Sequence, residues 1–215
     1  MLKKEAFSTY SHGIMAILCG IGGIILVFLS SGNIAYQIIC AQASLTAVLS
    51  MGSSALYHSK KLAENENNWR RKLDHIAIFF GIAGYFTCLS SFYLSSPWRW
   101  ILISVLWICV AVGFLLKLFF LNAPRWLSPI IYFGMALIAI IPLPIYLSSM
   151  SVIGVVLFFL GGISFVIGGV VYAIKKPDPK PGIFGFHDIF HICIASGMGL
   201  FYFIILDIIL ALSVG

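Results

Sequence analysis

Charged residues are scarce in this chain. Only 9% of the 215 residues are Asp, Glu, Lys or Arg, against about 25% in soluble domains, and 61% are hydrophobic. That balance excludes a water-soluble fold, and the apolar runs leave no room for a soluble domain beside them. A disulfide framework is also missing. The five cysteines (Cys19, Cys40, Cys88, Cys109 and Cys193) all fall inside apolar runs and form no CxxC pair, so each reads as a small hydrophobe. No convincing small-residue cleavage site follows the first apolar run, which is therefore expected to stay as a membrane span and not to be a signal peptide. There is no internal repeat and no low-complexity segment.

What the chain does have is long apolar runs. A hydrocarbon core about 30 Å thick needs roughly 20 apolar residues per helix, and seven runs fit, at about 12–30, 34–58, 74–95, 99–121, 128–148, 151–174 and 186–212. In lipid each backbone must satisfy its own hydrogen bonds, so each run reads as a helix. The expectation is one all-α membrane domain, 1–215, of seven transmembrane helices. Turn chemistry supports the breaks: Ser31-Gly32-Asn33, the polar stretch Ser59 to Lys72, Ser96-Pro97, Asn122-Ala123-Pro124-Arg125, and the Pro-rich connector Lys175 to Gly182. Pro142 and Pro144 are expected to kink the fifth span near its outer end.

The formal net charge of +6 does not point to nucleic acid, because the basic residues sit in short loops between spans. With the N-terminus inside, the cytoplasmic segments hold Lys3, Lys4, Lys60, Lys61, Arg70, Arg71, Lys72, Lys117, Arg125, Lys175, Lys176 and Lys180, and only Arg99 lies outside. This positive-inside bias places the N-terminus in the cytoplasm, and an odd span count places the C-terminus outside. Gly161-Gly162 and Gly168-Gly169 recur seven residues apart on the sixth span, where glycines let helix backbones approach closely.

Ionisable residues in membrane helices are costly and so mark candidate sites. Here they collect at one depth. His58 ends the second span, Asp74 and His75 begin the third, His187, Asp188 and His191 begin the seventh, and His12 begins the first. The alternation of spans puts all of these ends at the cytoplasmic leaflet. His187 and His191, spaced i, i+4, project from one helical face and can hold one metal ion. Ser54 and His58 share that spacing. Three imidazoles leave a tetrahedral zinc site with one open position, where the pKa of water falls to about 7. Asp74 can take a proton from that water or orient it, and Ser54 can hydrogen-bond the water or a substrate oxygen.

Each of these residues has a second reading. Asp74 can cap the third helix, and Ser54 can back-bond to a carbonyl of its own helix. His75 lies about 100° around the helix from Asp74 and reads as a packing or interfacial histidine. His12 reads as interfacial, with a fourth metal contact as the alternative. His187-Asp188-Ile189-Phe190-His191 is like the HExxH zinc-protease helix with Asp for Glu. Asp188 is one methylene short of the usual base, and ranks behind Asp74 in that role; a place at the helix N-terminus favoured by the dipole suits it equally. Asp207 lies roughly 30 Å further along its helix than His187, outside this layer. Cys193 faces about 200° away from His191.

Taken together, the motifs resemble the hemolysin III family, the bacterial branch of the progestin and adipoQ receptor superfamily, which includes the adiponectin receptors. The similarity covers nearly the whole chain. Its anchors are Glu5 with Ser11-His12-Gly13, then Ser54 to Ser59 (SALYHS), Leu73 to Phe79 (LDHIAIF), Ala83 to Thr87 (AGYFT) and His187 to His191 (HDIFH). The resemblance implies a seven-helix bundle in the bacterial plasma membrane. It implies zinc near the cytoplasmic side on His58, His187 and His191, with Ser54 and Asp74 beside it. Three departures stand out: Phe201 where the family often has a further His, Thr87-Cys88 where it usually has Thr-Pro, and Asp188 where Glu is common.

The wider superfamily resembles alkaline ceramidases, and its bacterial members are named for haemolysis and linked to membrane lipid homeostasis. Three functions are therefore weighed. The first is a zinc-dependent hydrolase of a lipid amide or ester, with membrane lipids as partners. The second is a pore-forming cytolysin. The third is a receptor-like regulator of membrane lipid composition with structural zinc.

Overall fold

Polar residues start the helices, and apolar runs carry them. In the computed structural model, which describes residues 3–60, 68–120, 127–180 and 183–214, Asn33 accepts the backbone N–H groups of Ala35 and Tyr36 at 3.1 and 3.2 Å. That opens α2 (Ile34–His58) after the turn that ends α1 (Lys3–Leu29). Asn68 accepts the N–H of Arg70 at 2.9 Å and opens α3 (Trp69–Tyr93). Ser151 accepts the N–H of Gly154 at 2.9 Å and opens α7 (Val152–Ile174). These are N-caps that satisfy helix-end donors. The others are α4 (Trp98–Phe119), α5 (Leu127–Ala139), α6 (Leu143–Ser149) and α8 (Phe186–Val214).

Six of these helices, α1 to α4 with α7 and α8, are long and apolar enough to cross a membrane. The seventh crossing comes from α5 and α6 together, bent by 56° at the break. The break holds Pro142, and Pro144 follows in the first turn of α6, so the kink falls where prolines remove backbone donors. The architecture is the all-α, seven-span bundle that the apolar runs imply. α7 ends at Ile174, where Lys175 turns left-handed at φ 56°, before the prolines of the connector. The expected turn at Asn122 to Arg125, Lys61, and the last two connector residues lie outside the described residues.

Two helices begin earlier than their apolar runs. α1 starts at Lys3, and α3 starts at Trp69, five residues before Asp74. Asp74 therefore does not cap α3; Asn68 does. Hydropathy locates the membrane-immersed part of a helix, and these helices extend beyond it into polar sequence.

The outside of the bundle is apolar. Phe28 and Val152 are 75% and 82% exposed, an arrangement suited to lipid and unsuited to water. Exposed tryptophans stand at both ends, Trp98 and Trp100 at the start of α4 and Trp69 at the start of α3, as in interfacial aromatic belts. The polar residues are turned inward: Ser8, His12, Thr46, Ser50, Ser53, Ser54, His58, Asp188 and His191 are all buried.

α3 lies at the centre, packed against α2, α4, α5, α6 and α8, while α1 packs on α2 and α8, and α7 packs on α8. The glycine pairs of α7 act through their first members. A methyl group at Gly161 would stand 2.6 Å from the Phe201 ring, and one at Gly168 would stand 2.9 Å from Cys193 Cβ, whereas Gly162 and Gly169 face open space. Phe201, where the resemblance leads one to look for a histidine, fills the core. It stacks on Tyr85 with ring centroids 3.8 Å apart.

The end of the bundle that holds the C-terminus of α2 and the N-termini of α3 and α8 also carries Arg70, Arg71, Lys72, Lys117, Lys175 and Lys176. Arg99 sits at the other end, its Nε donating to the carbonyl of Leu94 at 2.8 Å. This asymmetry supports a cytoplasmic placement for the first end.

Candidate metal centre

Two helices deliver the clustered histidines to that charged end. His58 is the last residue of α2, and the α2 terminus is fastened to α3 by Arg70, whose guanidinium donates to the Leu56 carbonyl and to Ser59 Oγ, both at 3.2 Å. His187 and His191 lie in the first two turns of α8. Their spacing turns both rings to one side, and the fold sets that side against the end of α2. His187 Nε2 is 3.4 Å from His58 Nε2 and 3.0 Å from His191 Nε2. One ligand atom from each of the three rings lies within 4.8 Å of the others. His58 and His191 are buried and His187 is partly buried. Aromatic rings frame the cluster: Tyr57 beside His58 at 4.8 Å, and Tyr172 of α7 beside His187 at 5.9 Å.

Ser54 and Asp74 meet on the α3 side. The Ser54 hydroxyl hydrogen-bonds the Asp74 carboxyl group, and His58 lies close enough to act on that carboxyl electrostatically. Ser54 thus turns toward α3, and the pair stands beside the first histidine of the cluster.

The remaining candidates take other places. His75 is not one of the converging trio: its carbonyl accepts the Tyr132 hydroxyl at 2.9 Å, and its buried Nδ1 makes no hydrogen bond. Asp188 is 2% exposed and faces α1. Its Oδ2 accepts the Gly185 N–H at 2.8 Å, closing the first turn of α8, and its Oδ1 accepts the Ser8 hydroxyl at 3.3 Å. This fits its reading as a helix-start residue. Asp207 accepts the Ser151 hydroxyl at 2.6 Å at the start of α7, the end of the bundle away from the histidines. Cys193 faces α7, its Cβ next to Gly168.

His12 corrects the expectation of an interfacial residue. It is 2% exposed, and both of its ring nitrogens lie within 3.1 Å of His191 Nδ1. The sequence held one signal for this contact. Ser8 and His12 are spaced i, i+4, like Ser54 with His58 and His187 with His191, so α1 carries a polar stripe of its own. Only the packing of α1 on α8 shows what the stripe meets.

The donor set can be tested against a metal. With Zn–N bonds of about 2.0–2.1 Å, nitrogens on a tetrahedral zinc stand about 3.3 Å apart. The observed 3.0 and 3.4 Å bracket that value. Imidazole nitrogens that converge this closely present their lone pairs to one point, which a shared cation would occupy. The residues fit.

These features define a class: a polytopic membrane protein of seven spans with a trio of histidines, able to hold a metal, at its charged end. Comparison with known proteins makes the assignment specific. The profile of the haemolysin-III related family matches residues 1–202, and the chain belongs to that family. It is 26% identical over 211 residues to Hemolysin-3 of Bacillus cereus, covering 97% of this chain and 93% of that protein. It is 27% identical over 212 residues to the Hemolysin-3 homolog of Bacillus subtilis (strain 168), covering 95% and 94%. The apolar helices make it an integral membrane protein, and the bacterial relatives support a plasma-membrane location.

Proposed function

We propose that His58, His187 and His191 hold a zinc ion, and that the protein hydrolyses the amide or ester bond of a membrane lipid. The observation that carries this reading is the convergence of three ring nitrogens, at 3.0 and 3.4 Å, next to a hydrogen-bonded Ser54–Asp74 pair. A purely structural metal needs no such carboxylate. Zinc, when bound, polarises a carbonyl oxygen and makes water a nucleophile near neutral pH.

The chain's own residues supply the remainder. The Asp74 carboxylate takes a proton as water oxygen bonds to the carbonyl carbon. It returns that proton to the departing nitrogen or oxygen as the C–N or C–O bond breaks, leaving a fatty acid and an amine or alcohol. Ser54, donating to Asp74, fixes the orientation of the carboxyl group. The surrounding aromatic rings and the membrane-embedded helices keep bulk water low. They suit a substrate that arrives with its acyl chain in the bilayer. The proteins it is similar to are named for haemolysis, but the lipid-facing apolar exterior and the inward-turned polar residues give a pore-forming reading no support of its own.

Hydrolysis is read directly. Full-length protein in nanodiscs doped with amide- and ester-linked lipids is expected to release fatty acid, with the release lost in His58→Ala. Zinc-loaded wild type that releases no more than His58→Ala from any such lipid would remove the hydrolase.

A further inference from the structure

His191 has two ring nitrogens, and the structure engages both. Nε2 points into the histidine cluster, 3.0 Å from His187 Nε2. Nδ1, on the opposite edge, points to α1, 3.1 Å from His12 Nδ1 and 2.9 Å from His12 Nε2. An imidazole that offers its Nε2 lone pair to a cation carries its proton on Nδ1. That N–H is buried, because His191 is 1% exposed, and a buried donor left without an acceptor is costly.

His12 meets this need. Its Nε2 lies 3.4 Å from the His191 carbonyl oxygen. Either His12 nitrogen, left unprotonated, can accept the His191 N–H: Nε2 at 2.9 Å or Nδ1 at 3.1 Å. When Nδ1 is the acceptor, the protonated Nε2 is directed at the His191 carbonyl; when Nε2 is the acceptor, that contact is not a hydrogen bond. Either way the proton sits on His191 Nδ1 and leaves His191 Nε2 to bind. His12 is not a ligand itself. It lies behind the His191 ring, with centroids 3.9 Å apart, outside the trio whose ligand atoms converge.

The position of His12 is itself held. One turn earlier on α1, the Ser8 hydroxyl donates to Asp188 Oδ1 at 3.3 Å, and the other oxygen of Asp188 is occupied by the Gly185 N–H. Two successive turns of α1 are thereby registered against the first turns of α8. Outer partners of this kind fix the tautomer and orientation of a ligating histidine.

We infer that His12 is a positioning residue for the metal centre, accepting the Nδ1–H of His191 and so presenting His191 Nε2 to the cation. The inference rests on the metal reading of the trio. It gives α1 a part in a site whose ligands come from α2 and α8 alone.

The test is zinc affinity of the full-length protein in detergent, measured by competition with a chelating dye, alongside melting of the zinc-free form. His12→Phe and the smaller His12→Leu remove the acceptor; His12→Gln retains an amide oxygen that can accept and an amide N–H that can donate. The apolar variants are expected to bind zinc about 10–100-fold more weakly. His12→Gln should recover most of that loss, and the zinc-free forms should melt close to wild type. Apolar variants that bind zinc as wild type does overturn the positioning role while the metal centre stands. So does an equal loss in all three variants that tracks a fall in zinc-free melting, which would reduce His12 to packing. Wild type without zinc removes the metal centre, and the inference with it.

Discussion

Replacing His187 by alanine is expected to leave the purified protein without zinc and to lower its melting temperature by about 5–16 °C. A ligand that binds only the folded state stabilises it by about 2.7 kcal/mol at a hundred times its dissociation constant and about 4.1 at a thousand times. In a domain of 150–250 residues each kcal/mol moves melting by about 2–4 °C. His187 suits this test because it is only partly buried. Truncating His191, which is 1% exposed and carries the contact with His12, would add a packing loss. A strong chelator separates the two effects: it should bring wild type down to the variant's melting temperature and leave His187→Ala where it is. A variant that melts low while the chelator does nothing to wild type would show that His187 stabilises by packing alone.

The second large effect concerns Asp74. Asp74→Asn retains the shape of the side chain and an oxygen for the Ser54 hydroxyl, but it cannot carry the proton that hydrolysis moves. Lipid hydrolysis is expected to fall by about 10²–10⁴, with zinc content and melting unchanged, because Asp74 stands outside the ligand trio. The same variant separates the hydrolase from a regulator with structural zinc. In the regulator, Asp74→Asn binds zinc and melts normally and there is no turnover to lose. Turnover by Asp74→Asn at the wild-type rate would take the proton-transfer role away from this carboxylate.

Much of this architecture is legible in the chain because membrane burial imposes a coarse rule. About 20 apolar residues make a crossing, and the runs at about 34–58 and 151–174 match α2 and α7 to within a residue. The starts of α1 and α3 do not. Lys3 to Ser11 and Trp69 to Leu73 are helical yet polar, and hydropathy is blind to them. That offset is why Asp74 looks like a cap in the sequence and lies inside the helix in the fold, with Asn68 capping instead.

The candidate site divides along similar lines. His187 with His191, and Ser54 with His58, can be paired by spacing on one helix. That all three histidines share one end follows from counting crossings. How the helices rotate against one another does not follow from spacing. Nothing on α1 alone tells that His12 meets His191 and not the headgroups, or that Ser8 meets Asp188. These contacts arise from α1 packing in parallel on α8, an interhelical fact. His75 teaches the same lesson in reverse. It neighbours Asp74 in sequence and lies about 100° around the helix from it; its ring is not among the converging trio, and its carbonyl serves Tyr132.

The claim beneath all of this is that the trio of imidazoles shares one zinc ion. X-ray absorption at the zinc edge of the purified full-length protein tests it most directly. The expected spectrum is one equivalent of four-coordinate zinc, with imidazole scattering from three nitrogens at about 2.0–2.1 Å and a single further light atom. Zinc far below one equivalent, or a first shell with sulfur at about 2.3 Å, would contradict it.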